Sequence, residues 1–309
     1  MEKQKESGQK TAFIAIVGRP NVGKSSILNE MVGKKIAIVS RKPQTTRTRI
    51  TGILTRGETQ LVFTDTPGLH RPRSSLGDYM VKAVKQSVSG VDACLLVAEA
   101  GAGVSHADEE LIGRFRSLGI PAVLAINKID LLREKSVLME EIAAFSARFD
   151  FSAVVPVSAR THSGMERLVE ELVGLAAPGM HFFDDDVLTD QPDRVLAGEI
   201  VREKLLRLLE KEVPHGIAVV VEQMREREDE SGILDIDATI VCEREGHKGI
   251  IIGKGGETLK KAGSLARIDM ENFFGCKVNL KFWVKVKEDW RNRQNLLRSF
   301  GYDSRYLDE

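Results

Sequence analysis

The sequence predicts two domains, an α/β domain with a mainly parallel sheet followed by a smaller α+β domain. Apolar, strand-like runs alternate with helix-like segments as far as residue 177, which is typical of a parallel α/β sheet. An acidic stretch that contains proline then indicates a linker. The length of 309 residues also suits two domains. We assign residues 1–10 to a polar N-terminal extension, 11–178 to the first domain, 179–192 to the linker, and 193–309 to the second domain with a C-terminal helix or tail.

The composition argues against several classes of protein. Cys94, Cys242 and Cys276 are widely spaced and odd in number, so we expect neither a disulfide framework nor a zinc site, and we expect a reducing, cytoplasmic compartment. No apolar stretch reaches the length of a membrane span. Net charge is zero, with 45 basic and 45 acidic residues. Between residues 248 and 293, however, basic residues outnumber acidic ones, which suits a polyanionic partner.

The first domain contains three predicted strands in quick succession, at residues 36–39, 50–55 and 60–64. The last two are close enough to pair as a hairpin, which predicts an antiparallel edge on the otherwise parallel sheet.

A phosphate-binding loop stands at residues 18–25, which read GRPNVGKS. An apolar strand, residues 13–17, enters it and a helical segment leaves it. Glycines let successive backbone N–H groups turn toward phosphate oxygens, and the helix N-terminus adds partial positive charge. Lys24 would reach the β- and γ-phosphates, and Ser25 would bind Mg²⁺. The alternative, a glycine-rich turn that fits by chance, is disfavoured by the strand and helix on either side.

Three further motifs indicate that the nucleotide is a guanine nucleotide. Asp130, in the NKID segment 127–130, would accept hydrogen bonds from the guanine N1–H and amine, whereas adenine would leave this carboxylate unpaired. Asn127 would tie the loops together and the Lys128 stem would cover the base. In the DTPG segment 65–68, Asp65 would hold Mg²⁺ through water and the Gly68 N–H would meet the γ-phosphate. The SAR segment 158–160 would contact the base through its backbone.

Motifs over nearly the whole chain resemble the Era family of bacterial ribosome-assembly GTPases, within the translation-factor-related class. They are the KPQTTR segment 42–47, DTPGLH at 65–70 and GIIIGKGG at 249–256. Thr45 and Thr46 are adjacent, and the resemblance implies that the Thr46 hydroxyl is the one that contacts Mg²⁺ and the γ-phosphate. Leu69 stands where Ras-like enzymes carry a glutamine that orients water, so intrinsic hydrolysis should be slow. Arg160 replaces the more usual lysine, with little expected consequence.

Asn21 has two interpretations. The resemblance implies that it helps hold K⁺ beside the phosphates, where a cation would neutralise charge in the transition state. Alternatively, its side chain only stabilises the turn.

The predicted site therefore has three overlapping sets of residues. The catalytic set is Lys24, Thr46 and Gly68. The Mg²⁺ set is Ser25, Thr46 and Asp65. The residues predicted to bind GTP or GDP are Gly18, Arg19, Pro20, Asn21, Val22, Gly23, Lys24, Ser25, Ser26, Asp65, Thr66, Pro67, Gly68, Asn127, Lys128, Asp130, Ser158, Ala159 and Arg160.

The second domain begins with a predicted helix from residue 194 to 211, capped by Asp193 and stopped by Pro214. Its predicted core stripe is Val195, Leu196, Ile200, Leu205, Leu208 and Leu209. Strands at 216–223 and 234–242 follow, then two short helices around a G-x-x-G loop, and a final strand at 277–287. That strand alternates apolar residues with mostly basic ones, so one face is apolar and the other basic.

This order of elements resembles a type II KH domain, whose G-x-x-G loop clamps about four single-stranded nucleotides. The fold class is thus a P-loop GTPase domain followed by an α+β type II KH domain. The alternative for the loop is a helical hairpin whose glycines only permit close packing, and Trp283 suits base stacking and surface covering equally. The predicted RNA-binding residues are Ile250, Ile251, Ile252, Gly253, Lys254, Gly255, Gly256, Lys260, Lys281, Trp283 and Lys285.

The resemblance implies a GTPase switch that binds the 3′ end of 16S rRNA and assists assembly of the small ribosomal subunit. The other function left open is a GTP-dependent membrane-surface or cell-cycle signalling switch, whose basic domain meets anionic lipid at the cytoplasmic face of the inner membrane. In either case we expect a monomer.

Overall fold

The computed structural model describes residues 8–42, 44–68, 74–88, 90–210, 213–229 and 232–302. These divide into two compact units. The first contains residues 8–36, 46–68 and 81–190, and the second contains residues 37–45, 74–80 and 191–302, apart from the gaps given above. Leu69 and His70, for which the sequence made predictions, lie outside the described residues.

The first unit is built on a mainly parallel sheet. Strands β1 to β7 span Lys10–Val17, Ile50–Arg56, Thr59–Asp65, Ala93–Glu99, Ala122–Asn127, Ala153–Pro156 and Ala177–Pro178. Their order is β2-β3-β1-β4-β5-β6, and β7 pairs with the start of β1. The strand β2 is antiparallel to β3, whereas β3, β1, β4, β5 and β6 pair in parallel. The α/β fold and its antiparallel edge hairpin are therefore confirmed.

The helices α1 to α5 span Lys24–Val32, Ser75–Ser87, His106–Leu118, Lys135–Ser146 and Met165–Val173. The start of α2 groups with the second unit. Apolar side chains of β1, β4 and β5 pack with those of α3 and with Phe145 of α4 to form a core on one face of the sheet.

The strand predicted at residues 36–39 is wrong. These residues form no strand, although Ile36, Ala37 and Ile38 are buried. The amide of Val39 donates to Glu203 Oε1 over 2.8 Å, and its carbonyl accepts from Arg207. Side chains therefore supply the hydrogen bonds that a neighbouring strand would otherwise give.

Residues 179–190, which the sequence assigned to a linker, are attached to the first unit by hydrogen bonds. The amide of Gly179 donates to the Gln9 carbonyl over 3.0 Å, and the amide of Ile53 in β2 donates to the Leu188 carbonyl over 2.9 Å. Thr189 donates its hydroxyl to the Thr51 carbonyl over 2.7 Å. This segment follows the antiparallel edge of the sheet.

The second unit is an α+β fold with a three-stranded sheet. In chain order its elements are α6 (Asp193–Leu208), β8 (Ala218–Glu226), β9 (Ile233–Cys242), α7 (Glu245–Ile252), α8 (Glu257–Phe274), β10 (Lys277–Val286) and α9 (Gln294–Ser299). The sheet order is β10-β9-β8, with β10 parallel and β8 antiparallel to β9.

Several details of the predicted helices are corrected. Pro192 is the N-cap of α6, so Asp193 begins the helix and does not cap it. Val195 is 43% exposed and points away from the core that Leu196, Ile200 and Leu205 enter. The helix α8 has 18 residues and is not short.

The alternation predicted for β10 is confirmed. Its apolar side chains pack against a core that α6, α8 and β9 share; they are Val278, Leu280, Phe282, Val284 and Val286. Because neighbouring side chains on a strand point to opposite faces, Lys281, Trp283 and Lys285 lie on the face of the sheet away from these helices.

Candidate functional site

The phosphate loop joins β1 to α1 in a conformation that depends on glycine. Gly23 precedes α1 with φ 103°, and a Cβ there would lie 2.2 Å from Asn127 Nδ2. Lys24 is buried, and its Nζ donates to the carbonyls of Gly18 and Arg19, each over 3.0 Å. Burial lowers the pKa of Lys24 to about 8, although the charge of Asp65 opposes that shift. The ammonium is thus held at the loop without a fully compensating charge.

Two hydroxyls and one carboxylate meet at the start of α1. Ser25 Oγ donates to Asp65 Oδ2 over 2.6 Å and lies 3.0 Å from Thr46 Oγ1, and Thr46 Oγ1 lies 3.5 Å from Asp65 Oδ2. Burial raises the pKa of Asp65, while Lys24 and the hydroxyls of Ser25 and Thr46 oppose the rise. Asp65 Oδ1 is buried and has no hydrogen-bond partner among the described residues. This small set of oxygens fits a hard divalent cation such as Mg²⁺, which takes few protein ligands and completes its shell with water and phosphate.

The second half of the site surrounds the end of β5. Asn127 Nδ2 donates to the Val22 carbonyl over 2.8 Å, and Asn127 Oδ1 accepts from the Ala159 amide over 3.2 Å. One side chain therefore joins the phosphate loop to the segment at residues 158–160. Lys128, with φ 69°, extends its ammonium to within 2.9 Å of Glu99.

Asp130 is oriented by a hydroxyl from the neighbouring loop. Ser158 Oγ donates to Asp130 Oδ1 over 2.6 Å. Arg160 is 80% exposed and its Nη1 lies 3.9 Å from Asp130 Oδ2, so it makes at most a weak contact. The geometry leaves a fixed carboxylate beside the backbone of residues 158–160.

The DTPG segment approaches the phosphate loop closely. Thr66 donates its hydroxyl to the Ile16 carbonyl over 3.0 Å. A Cβ on Gly68 would lie 2.6 Å from the backbone nitrogen of Pro20, so only glycine fits there without a shift. The predicted residues at 18–25, 46, 65–68, 127–130 and 158–160 thus gather at one end of the parallel strands, where nucleotides bind in open α/β sheets.

Sequence reasoning missed a buried carboxylate beside the loop. Asp108 is fully buried, and its Oδ2 lies 3.4 Å from Arg19 Nε. It also forms a capping box with Ser105 at the start of α3. The Ser-x-x-Asp spacing of that box was the available signal.

The G-x-x-G loop lies between α7 and α8. Gly253 has φ 76°, and a Cβ there would lie 2.3 Å from Thr258 Oγ1 and 2.9 Å from the Thr258 amide nitrogen. Ile250 is 51% exposed, whereas Ile251 is wholly buried in the core. Lys254, Gly255 and Lys260 are exposed, and Ile252, Gly253 and Gly256 are partly so.

The structure separates the predicted RNA residues into two places. Lys281, Trp283 and Lys285 lie on the sheet face opposite the core helices, and Lys281 stands beside Asp237 in the register of β9 and β10. Sequence reasoning also missed two exposed apolar residues of α8, Leu265 and Ile268. Their neighbours on α8 are mixed in character, so no periodic pattern indicated that these two side chains are exposed.

Two features are absent from the described part of the chain. Those residues include no group of three or more His, Cys, Asp or Glu arranged to hold a metal ion. Within the same ranges, no helix is both long enough and apolar enough to cross a membrane.

Comparisons with known proteins agree with this geometry. Residues 13–128 match the family described as 50S ribosome-binding GTPase, and residues 212–291 match the KH domain family. The GTPase Era of Ruminiclostridium cellulolyticum is 45% identical over 293 residues, covering 95% of this chain and 97% of that protein. The GTPase Era of Clostridioides difficile is 45% identical over 296 residues, covering 96% and 99%.

Two solved structures are similar over the same extent. A variant of Aquifex aeolicus Era bound to GDP·AlF4⁻ superposes with a TM-score of 0.91 at 39% identity, covering 95% of this chain and 99% of that one. Era in complex with MgGDPNP and nucleotides 1506–1542 of 16S ribosomal RNA gives a TM-score of 0.90, with the same identity and coverage.

The fold, the nucleotide motifs and the second unit together define a P-loop GTPase that carries a KH domain. The extent and level of identity place it more narrowly: the chain belongs to the Era family of GTPases.

Proposed function

We propose that this GTPase is a switch that binds single-stranded RNA at the 3′ end of 16S rRNA and assists assembly of the small ribosomal subunit in the cytoplasm. The turn at Gly253 carries the proposal, because its φ of 76° and its close approach to Thr258 require glycine. A G-x-x-G turn of this kind is the element with which KH domains clamp a nucleic-acid backbone. The relative whose structure holds nucleotides 1506–1542 of 16S ribosomal RNA covers 95% of this chain.

In the nucleotide site we propose that Ser25 and Thr46 bind Mg²⁺ directly and that Asp65 does so through water. When bound, Mg²⁺ supplies positive charge to the β- and γ-phosphate oxygens. Lys24 neutralises the same oxygens, and the Gly68 N–H donates to the γ-phosphate. With Leu69 in the glutamine position, no side chain of that type orients the attacking water, so unassisted hydrolysis is slow.

In the base site we propose that Asp130 accepts the guanine N1–H and amine. The 2.6 Å bond from Ser158 fixes the carboxylate, and Asn127 holds this loop against the phosphate loop. An adenine base offers Asp130 no donor at N1, so the site selects guanine.

In the second unit we propose that the clamp consists of Gly253, Lys254, Gly255, Gly256 and Lys260, with Ile250 and Ile252 beneath the bases. Ile251 is excluded because it is buried. The opposite face of the sheet contributes to RNA binding only where the bound RNA continues onto it, and the residues there are Lys281, Trp283 and Lys285.

The test is binding of a fluorescent RNA with the 3′-terminal sequence of 16S rRNA, at fixed salt, against a scrambled RNA of equal length and against anionic vesicles. We expect the full chain to bind the cognate RNA most tightly, and crosslinking with sequencing from cells to recover the same region. Equal affinity for the scrambled RNA, or stronger binding to vesicles, would contradict the proposal.

A further inference from the structure

A buried ion pair joins the phosphate loop to helix α3, and the proposed function does not use it. Asp108, in the first turn of α3, has no exposed side-chain surface, and its Oδ2 lies 3.4 Å from Arg19 Nε. A carboxylate removed from water is unfavourable unless it is paired and hydrogen-bonded. Both residues belong to the first compact unit, so the pair links two parts of one unit.

One oxygen of Asp108 is held by the N-cap of α3. Oδ2 accepts from the Ser105 amide over 2.9 Å and from the Ser105 hydroxyl over 2.7 Å. Oδ1 is buried and accepts no hydrogen bond from the described residues. A capping box requires only the bonds with Ser105. Complete burial of the carboxylate beside Arg19 is therefore more than the cap of α3 requires.

Arg19 faces this carboxylate with two unused N–H groups. Its Nε and Nη2 are buried and donate to no acceptor within the described ranges. The N–H groups of a guanidinium match the two oxygens of a carboxylate. The unused donors of Arg19 and the unused Oδ1 of Asp108 are therefore complementary in chemistry, and the opposite charges hold the arginine against α3.

The backbone on either side of Arg19 has little freedom. A Cβ on Gly18 would lie 2.3 Å from the Val97 carbonyl oxygen, so Gly18 is packed directly against β4. The Arg19 carbonyl accepts from Lys24 Nζ over 3.0 Å. Proline fixes its own φ and restricts the preceding residue to extended conformations. The position of Pro20 is therefore coupled to that of Arg19.

Pro20 in turn contacts the DTPG segment. A Cβ on Gly68 would lie 2.6 Å from the Pro20 nitrogen and 2.8 Å from its Cγ, and Gly68 belongs to the same compact unit. The Gly68 N–H is the group that we propose donates to the γ-phosphate, which GDP lacks. A shift of Pro20 would therefore disturb the site for GTP more than the site for GDP.

We infer that Asp108 is a positioning residue for GTP hydrolysis, acting through Arg19 and Pro20 on the Gly68 N–H. The inference rests on the proposed contact between that N–H and the γ-phosphate. Asp108 acts without contacting nucleotide, because it holds the side of the phosphate loop against which Gly68 packs.

The experiment compares Asp108→Asn, Arg19→Gln and the double variant in the full chain. Glu109→Gln is the matched control, because Glu109 follows Asp108 on the same helical turn and pairs over 3.1 Å with a different arginine, Arg148, at the surface. The measurements are kcat, the Kd for GDP and the Kd for a non-hydrolysable GTP analogue. Thermal unfolding checks that each variant folds.

For Asp108→Asn we expect kcat to fall on the order of 10- to 100-fold, the range that a small misplacement of a reacting group produces. Affinity for the analogue should fall on the order of tenfold, the effect of losing one hydrogen bond to a charged group. Affinity for GDP should change much less, so the ratio of the two Kd values shifts.

The double variant should lose little more than either single variant, since two residues that act as a unit are not additive. Arg19→Lys keeps a positive charge beside Asp108 and should retain more of kcat than Arg19→Gln. Glu109→Gln should keep the wild-type kcat and the wild-type ratio of Kd values, because it removes the same charge from the same turn without releasing Arg19.

Several results would overturn the inference. They are a wild-type kcat in Asp108→Asn, equal losses of affinity for GDP and the analogue, a full additional loss in the double variant, or the same losses in Glu109→Gln. If Asp108→Asn does not fold, Arg19→Gln alone carries the same expectations. A Gly68→Ala variant that hydrolyses GTP normally would instead overturn the proposed role of Gly68, so the two failures are distinguishable.

Discussion

Ser158 Oγ donates a 2.6 Å hydrogen bond to Asp130 Oδ1, so the side chain that reads guanine in our proposal is held by a hydroxyl from a different loop. Ser158 is buried and its hydroxyl also accepts from the Thr161 amide over 3.2 Å. The carboxylate is therefore oriented before nucleotide binds, which reduces the ordering that binding must supply.

We predict that Asp130→Asn exchanges the preferred base from guanine to xanthine. The amide donates where the carboxylate accepted, which suits the O2 atom of xanthine and opposes the guanine amine. GTP affinity should fall on the order of 10- to 100-fold, the effect of leaving buried polar groups mispaired, and XTP affinity should rise.

The matched control for that prediction is Ser158→Ala. It removes the hydrogen bond to Asp130 but leaves the carboxylate, so affinity for GTP should fall modestly without a change of preferred base. Competition of GTP and XTP against a fluorescent nucleotide measures both. An unchanged GTP-to-XTP ratio in Asp130→Asn would remove Asp130 from the base site.

The sequence allowed prediction of motifs whose structure is decided by the backbone and side chains of consecutive residues. The phosphate loop needs a strand, a glycine turn and a helix in that order, and residues 10–32 supply all three. The alternation in β10 could also be predicted, because successive side chains of a strand point to opposite faces. Every second residue of β10 is apolar and packs against the core.

Predictions failed where a distant side chain decides the local structure. Residues 36–39 have a strand-like composition, but Glu203 and Arg207 occupy the backbone groups of Val39. Ile250 and Ile251 are identical in type, and only the packing of α7 shows that one is exposed and the other buried. A single sequence carries no local signal of either arrangement.

The backbone at Asn21 bears on its two interpretations. Its φ is 65°, a left-handed conformation that asparagine tolerates better than most residues, so the turn alone is a reason for this side chain. We predict that hydrolysis is nevertheless faster in K⁺ than in Na⁺ at equal ionic strength. Asn21→Gly keeps the backbone conformation available and removes the amide, so it should abolish the difference between the salts. Equal wild-type rates in K⁺ and Na⁺ would leave Asn21 with the turn role alone.

The attachment of residues 179–190 should depend on pH through His181. Its Nδ1 lies 2.8 Å from Asp185 Oδ1 and its Nε2 lies 3.2 Å from the Glu58 carbonyl, and both nitrogens can donate only when the ring is protonated. The hydrogen bond to Asp185 raises the pKa of His181 in the folded state. The stabilisation is therefore complete below the unfolded pKa of about 6.5 and is lost as pH rises through the raised folded value.

An NMR titration of the His181 ring measures this pKa directly. Asp185→Asn should lower it toward the ordinary value, and hydrogen-exchange protection of the Gly179 amide should fall between pH 6 and pH 8 in the wild type only. A His181 pKa at or below the ordinary value in the wild type would contradict the expectation.

The last prediction separates the shape of the G-x-x-G loop from its charge. Gly253→Ala adds only a Cβ, which would clash with Thr258, whereas Gly253→Asp adds the same clash and a charge that repels phosphate. Lys254→Ala leaves the loop conformation intact and removes one cation. Both glycine variants should weaken RNA binding, with the aspartate worse, and Lys254→Ala should reduce the salt slope by about 1.

None of these changes touches the nucleotide site, so GTP affinity in the absence of RNA should remain that of the wild type. If the wild type binds RNA more tightly with a non-hydrolysable GTP analogue than with GDP, RNA must raise analogue affinity relative to GDP by the same factor, typically about 5- to 150-fold. Gly253→Asp should lower RNA affinity in both nucleotide states. RNA titrations at several salt concentrations, with each nucleotide, measure the affinities and the slope. If Gly253→Ala binds RNA as tightly as the wild type, the close approach at Thr258 serves only the packing of α7 and α8, and RNA binding would then have to be sought at Lys281, Trp283 and Lys285 on the opposite face of the sheet.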